Sequence, residues 1–274
     1  MKIKDLIDWA TLELIAFDSA RLDAELLLEH ILDKPVTHLL AHDDEEVGHW
    51  KQWKYERLTA KRKKGIPVAY LRGHKEFYGR DFEVNRHVLV PRPDTEFLVE
   101  AVSEYITGDD LLLDVGTGSG CIPVSVIKAV PDLEAVAVDI SSKALKVAQN
   151  NAYKHHVLSR MVFVQSDLLQ SVDRRLLEGW EVVVTANLPY VPKDYQVNIE
   201  TQFEPQIALY GGDDGLDLYR RLITQLMEIR PKAIFFECFE FQAAVLAKEL
   251  PDYELKFIRK ALGMASVMML ERRD

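Results

Sequence analysis

Near its middle the chain reads Leu111-Leu112-Leu113-Asp114-Val115-Gly116-Thr117-Gly118-Ser119-Gly120, and this stretch decides the fold. A short apolar run enters a glycine-rich turn, and the residues that follow carry helical spacing. The unit then recurs. Strands are expected at 111–115, 134–138, 161–165, 181–186, 233–238, 253–259 and 266–271, with helices at 119–129, 142–153, 216–229 and 240–250. Such alternation builds a parallel sheet with helices on both faces. Only Gly263 and a few neighbours separate the last two strands, too few for a crossover helix, so those strands are expected to pair antiparallel.

The expected fold class is therefore α/β. An otherwise parallel sheet ending in an antiparallel strand is the pattern of a Rossmann-like class I S-adenosylmethionine-dependent methyltransferase rather than of a dinucleotide dehydrogenase. Upstream, residues 1–65 read as helices. Apolar residues fall at helical spacing at Leu6, Trp9 and Leu12, and again at Leu22, Leu26, Leu27 and Ile31, with Asp18 and Ser19 as the stop between them. Lys34-Pro35 opens a short third helix. A fourth is expected from about Asp44 to Lys64, ending in Lys61-Arg62-Lys63-Lys64, a cluster that complements the negative helix end or offers an RNA contact. Residues 66–93 look like a connector with short strands, and Asp94 is expected to cap the next helix. The organisation expected is a small helical domain at 1–65, the connector at 66–93 and a sheet domain at 94–274.

The 274 residues are 48% hydrophobic and 28% charged, an ordinary soluble globular composition. The longest apolar stretch, Leu111 to Val130, contains Asp114, Lys128 and three glycines, while Asp5 and Asp8 sit where a signal peptide would be apolar. No membrane span or secretion signal is expected, and the location expected is cytoplasmic. Cys121 and Cys238 show no ligand spacing, so they are expected as two reduced thiols, with no metal bound. The net charge of −10 divides unevenly, −1 over residues 1–90 and −9 over residues 91–274. Phosphate backbones need a positive surface, so no direct nucleic-acid contact is expected. The acidic face serves solubility or takes a basic macromolecular partner, and a monomer is the expected state.

The glycine turn carries the chemistry. Its spacing is GxGxG, not the GxGxxG of a dinucleotide site, and Asp114 precedes it. A carboxylate beside the turn disfavours a phosphate but suits the cationic sulfonium and ammonium of S-adenosylmethionine. Gly116, Thr117, Gly118, Ser119 and Gly120 are thus expected to contact that cofactor. Asp139, 23 residues after Gly116, ends the second strand and is placed to accept both ribose hydroxyls. Asp167 and Leu168 end the third, where the first can accept from the adenine amino group and the second can pack on the ring.

Asn187-Leu188-Pro189-Tyr190 follows the fourth strand, beside the expected sulfonium. Methylating a planar NH2 group is difficult because the nitrogen lone pair is delocalised. The nitrogen must be held in line with the methyl group, and such orientation is worth ~7–11 kcal/mol in well-arranged systems. Asn187 can accept one N–H, the carbonyl of Leu188 or Pro189 the other, and Tyr190 can lie against the planar group. An isolated Asn-x-Pro-Tyr is otherwise only a turn.

These residues resemble the protein-glutamine N5-methyltransferases that modify peptide chain release factors. The resemblance spans nearly the whole chain, through Asp23 to Leu28, Gly65 to Leu71, Glu76 to Gly79, Val90-Pro91-Arg92-Pro93-Asp94-Thr95-Glu96, the glycine loop, Asp139, Asn187 to Tyr190, Phe203-Glu204-Pro205 and Gly211 to Leu216. It implies methyl transfer from S-adenosylmethionine to the glutamine of a release factor's Gly-Gly-Gln loop, with the N-terminal helical domain docking that protein. By the same resemblance Gly116 to Gly120, Asp139, Leu168 and Asn187 contact the cofactor, and Asn187 to Tyr190 grip the amide. Arg92 and Phe77 are expected at the entrance, or else as a solvated arginine and a packed aromatic.

One residue departs from the family. Two prolines usually follow the asparagine, whereas Leu188 takes the first place, restoring an N–H and freeing φ. Asn-Leu-Pro-Tyr also resembles the motif of adenine-N6 rRNA dimethyltransferases. The alternatives are therefore adenine-N6 methylation of nucleic acid, glutamine methylation of a ribosomal protein, and a binding module without turnover.

Overall fold

A computed structural model describes residues 1–273. Two compact units emerge, one of Met1–His74 with Val197–Phe203, the other of Lys75–Gln196 with Glu204–Asp274. Among the described residues no helix is long and apolar enough to cross a membrane.

The first unit holds α1 (Ile3–Glu13), α2 (Ala20–Leu32), α3 (Val36–Ala41), α4 (His49–Lys63) and α5 (Val68–Arg72). Its core forms from Ile3, Leu6, Ile7 and Ala10 of α1 against Ala24, Leu27 and Leu28 of α2. The apolar stripes thus lie partly off the expected faces, for Leu12 and Leu22 are 69% and 53% exposed. Spacing fixes a helical period but not its phase, and the small Ala10 and Ala24 mark the contact side. Helix α4 starts at His49 rather than Asp44, because residues 43–47 pair with the N-terminal segment through Ile3 N–H to Glu45 O and Val47 N–H to Met1 O. Helix α5 replaces the first part of the expected stranded connector, ending on left-handed Gly73.

Arg62 of the basic cluster is buried. Its Nε donates to Asp23 Oδ2 at 2.7 Å, its Nη2 to Glu200 Oε1 at 2.5 Å, and its guanidinium lies 3.9 Å over Phe17. It is a structural ion pair, withdrawn from any RNA contact.

The second unit opens with a hairpin, β1 (His74–Phe77) and β2 (Arg80–Glu83), whose turn residues Tyr78 and Gly79 both have positive φ, as a two-residue hairpin turn demands. Helix α6 (Pro93–Tyr105) has Arg92 at its N-cap and Pro93 in its first turn. Asp94 is therefore not the cap. Already inside the helix, it accepts instead from the N–H of Gly263 at 2.8 Å. Then follow β3 (Asp110–Val115), α7 (Cys121–Ala129), β4 (Glu134–Asp139), α8 (Ser142–Lys154), β5 (Met161–Gln165), β6 (Glu181–Ala186), α9 (Asp217–Ile229), β7 (Ala233–Phe239), α10 (Glu240–Glu249), β8 (Tyr253–Lys260) and β9 (Ala265–Arg272). The spatial order is β5-β4-β3-β6-β7-β9-β8. Strands β3 to β7 pair parallel, while β9 runs antiparallel to both its neighbours. The antiparallel strand is therefore one place in from the edge, which β8 occupies.

Every residue of β3 and β7 is buried, which is why they read as largely apolar runs, broken only by Asp110, Asp114 and Glu237. One face packs on α6 and α7, the other on α9 and α10. Strand β3 has β4 on one side and β6 on the other, so the chain reverses its winding at β3 and leaves a crevice at its carboxyl end.

Candidate active site

A cavity of about 360 Å³ occupies that crevice, within the range of small-molecule sites. Gly116, Thr117, Gly118 and Ser119 form part of its wall. Gly120 is not in the wall; a side chain there would come within 3.0 Å of Ala148 Cβ, so this glycine serves the packing of α7 against α8. Asp139, at the tip of β4, lines the cavity and already shapes its floor. Its Oδ2 accepts from the N–H of Gly118 at 2.9 Å and its Oδ1 from Ser141 N–H at 2.8 Å. Each carboxylate oxygen can take a second donor, so acceptor capacity for a ligand remains. Burial raises its pKa, against those same backbone donors.

Asp114 lies beneath the loop, 1% exposed. Oδ1 accepts from the Thr185 hydroxyl at 2.7 Å, while Oδ2, like the nearby Thr117 Oγ1, has no hydrogen-bond partner among the described residues. Burial pushes this carboxyl up to about 6, against the pull of the Thr185 and nearby Thr117 hydroxyls. An orphaned acid oxygen behind the glycine loop suits a cationic ligand, which would hold the acid ionised.

Asp167 and Leu168 line the cavity beyond β5. The Asp167 carboxylate is bound to Arg221 Nη2 at 2.6 Å, and Leu168 sits in a left-handed conformation with φ of 51°.

The loop after β6 brings Asn187, Leu188 and Pro189 to the same cavity. Asn187 Nδ2 donates to Thr95 Oγ1 at 3.0 Å. Tyr190 does not line the wall as expected. Its ring packs edge-on against Phe239 at 5.1 Å, and its hydroxyl donates to buried Glu237 Oε1 at 3.1 Å, so the partnership with a buried acid draws it inward. The N–H that Leu188 restores is satisfied by the hydroxyl oxygen of Tyr219 at 3.2 Å, and that hydroxyl in turn donates to the Glu237 backbone carbonyl. The departure from the two-proline pattern thus comes with its own partner.

A second segment buttresses this loop. Gly215 has φ of +81°, and a Cβ there would lie 2.1 Å from the Tyr190 carbonyl oxygen. Gln242 Nε2 donates to the Tyr190 and Asp214 carbonyls at 2.8 and 2.9 Å, and Gly211 N–H donates to Val191 O. The Gly-Gly-Asp-Asp-Gly stretch is therefore the mould on which the loop is cast.

Arg92 is in the wall, with Nη2 donating to Glu204 Oε1 at 2.6 Å; Glu204 Oε2 accepts from Val90 N–H at 3.2 Å. Phe77 is not at the entrance. It is 1% exposed and packs edge-on against Phe82 at 5.9 Å, the packed aromatic that was the other expectation. Sequence reasoning missed Ile140, which follows Asp139 into the wall, and also Ile207 and Leu218. It also missed Glu237, whose carboxyl burial pushes up to about 7, opposed by the polar groups of Thr95, Tyr190 and Asn187. A charge inside the apolar run from Ala233 to Phe239 was the available signal.

Known proteins resemble this chain in sequence and in fold. The family model of the PrmC N-terminal domain matches residues 5–73, and that of the methyltransferase small domain matches residues 93–193. A release factor glutamine methyltransferase of Koribacter versatilis is 40% identical over 235 residues, which cover 83% of this chain and 82% of the relative. Another, of Nitratidesulfovibrio vulgaris, is 34% identical over 275 residues, covering 96% and 92%. A bifunctional methyltransferase of Rickettsia felis is 35% identical over 252 residues, but this chain spans only 47% of its length. The crystal structure of a methyltransferase from Pyrococcus furiosus matches with a TM-score of 0.54 at 16% identity, covering 79% of this chain and 98% of that one, a likeness that shows the Rossmann-like methyltransferase fold. With two relatives of that name similar over most of both chains, this chain belongs to the release factor glutamine methyltransferase family.

Proposed function

We propose that the protein transfers a methyl group from S-adenosylmethionine to the side-chain amide N5 of the glutamine in a peptide chain release factor's Gly-Gly-Gln motif, in the cytoplasm. The observation that carries this is the convergence of the glycine loop, Asp139 and the Asn187–Pro189 loop on one cavity at the switch point of the sheet. The backbone from Gly116 to Ser119 closes over the amino-acid end of the ligand, with Asp114 as the counter-charge behind it. Asp139 takes the ribose, and Leu168 packs against the base beside Asp167. S-adenosylmethionine held there by the glycine loop, Asp139 and Leu168 would supply an electrophilic methyl on a cationic sulfur, which would leave as a neutral thioether with the C–S pair, the amide proton passing to water.

The chain's own work is to orient. Asn187 Oδ1 accepts one N–H of the substrate amide, drawing density onto nitrogen, and the backbone of Leu188 and Pro189 defines the slot for the planar group. Tyr190 holds the loop in place from inside. Arg92, fixed by Glu204, forms the rim. Fixed dipoles of this kind need no rearrangement during reaction, which is where their advantage over water lies.

The test is mass spectrometry of a purified release factor after incubation with enzyme and S-adenosylmethionine. The expected product carries one added methyl on the glutamine of the Gly-Gly-Gln motif; an unmodified glutamine, or label appearing in RNA instead, overturns the assignment.

A further inference from the structure

Glu237 lies two residues from the carboxyl end of β7, on the face covered by α6, and is 1% exposed. A carboxylate so placed is costly unless donors surround it. One oxygen, Oε1, accepts from the Tyr190 hydroxyl at 3.1 Å, while Oε2 lacks a partner of good geometry among the described residues. Thr95, itself 3% exposed, and the Asn187 carboxamide both stand beside it, and Thr95 accepts from Asn187 Nδ2 at 3.0 Å. A hydroxyl that accepts from an amide keeps its own proton to donate, and the acid is the acceptor at hand. If the Asn187 carboxamide were reversed, its oxygen would compete for the Thr95 proton and leave the acid short of a donor. The acid therefore selects one orientation, with Nδ2 turned inward and Oδ1 left for the cavity that Asn187 lines.

We propose that Glu237 is a positioning residue for methyl transfer: through Thr95 it sets the orientation of the Asn187 carboxamide, and through the Tyr190 hydroxyl it anchors the end of the transfer loop. This role rests on the proposed grip of Asn187 on a substrate amide. It also gives Thr95, within the Pro-Arg-Pro-Asp-Thr-Glu segment, a task distinct from starting a helix.

The relay needs the ionised acid, since a protonated one becomes a donor itself. The groups facing it are Asp94 and Thr95 on α6, Asn187 and Tyr190 on the transfer loop, Tyr219 on α9, Cys121 on α7 and its neighbour Cys238. Burial places its titration near 7, so kcat should fall as pH drops through that value.

The experiment compares wild type, E237Q, T95V and T95S for kcat and KM on a release factor, S-adenosylmethionine affinity by calorimetry, and kcat against pH. E237Q and T95V should each lower kcat by about thirty-fold, with cofactor affinity held within about twofold. T95S should recover activity to within about threefold of wild type, and E237Q should lose the low-pH fall in kcat. In the double variant the two losses should not multiply, because both break one relay. A wild type that methylates the release factor alongside an E237Q variant of equal kcat and unchanged pH profile overturns the positioning role alone. A wild type without transfer overturns the functional assignment and the role together. Should E237Q fail to fold, T95V against T95S decides: equal kcat in those two refutes the relay.

Discussion

Replacing Tyr219 with phenylalanine tests how the chain accommodates leucine at position 188. The ring is fully buried and packs edge-on against Phe236 at 5.0 Å, a contact that phenylalanine preserves. What is lost is one oxygen, which accepts from Leu188 N–H and donates to the Glu237 carbonyl. Leu188 is 4% exposed, so its orphaned N–H costs about 1–3 kcal/mol, and the missing bond to the carbonyl adds about 0.5–1.5 kcal/mol. Tyr219→Phe should therefore destabilise by about 2–4 kcal/mol, which lowers Tm by about 5–15 °C for a unit of this size. In a Leu188→Pro background there is no N–H to orphan, so the same substitution should cost only about 0.5–1.5 kcal/mol. Any strain from the proline is common to both members of that pair and cancels. Urea unfolding of the four proteins yields the coupling. Strict additivity, or a Tyr219→Phe cost below about 0.5 kcal/mol, would refute the idea that this hydroxyl compensates for the leucine.

Three further outcomes are expected. Asp139→Ala should weaken S-adenosylmethionine binding about a hundredfold in calorimetry, since two charge-assisted bonds are lost; affinity within about threefold of wild type excludes Asp139 as the ribose clamp. Binding should also weaken at acid pH: Asp114, near 6 in the free protein, is protonated as pH falls, whereas a bound cation favours its charged form. If binding returns it to an ordinary value near 4, affinity at pH 5.5 should be about fourfold below that at pH 7.5, a difference that Asp114→Asn removes. Gly215→Ala places a Cβ 2.1 Å from the Tyr190 carbonyl, at a φ of +81°. It should cost about 3 kcal/mol in stability and lower kcat, and a variant with wild-type Tm would show that the segment does not mould the loop.

The sheet was legible because its central strands are buried on both faces and so appear as uninterrupted apolar runs, Leu111 to Leu113 and Val182 to Val184 among them. Strand ends also bear the ligand-facing residues in this architecture, which put Asp139, Leu168 and Asn187 within reach of simple counting. Helical phase in the first unit was not legible. Leucines at 12 and 22 satisfy the period yet face water, because the contact side is chosen by alanines that allow α1 and α2 to approach. Tyr190 shows the same limit for an aromatic, its burial depending on a partner 47 positions away, Glu237, while Phe77 is buried against Phe82 only once the hairpin between them has closed. Glu237 itself was visible as a charge within an apolar run, but its meaning needed the side chains from other elements that surround it.

The buried guanidinium of the helical unit has a consequence for biosynthesis. One of its carboxylate partners, Asp23, is made long before it, but the other, Glu200, is separated from it by 138 positions. The side chain at 65 is likewise excluded by contacts with Ile199 and Phe203. A nascent chain can therefore assemble the apolar core of its first helices early, yet the second carboxylate of this buried guanidinium arrives only once residue 200 has been made.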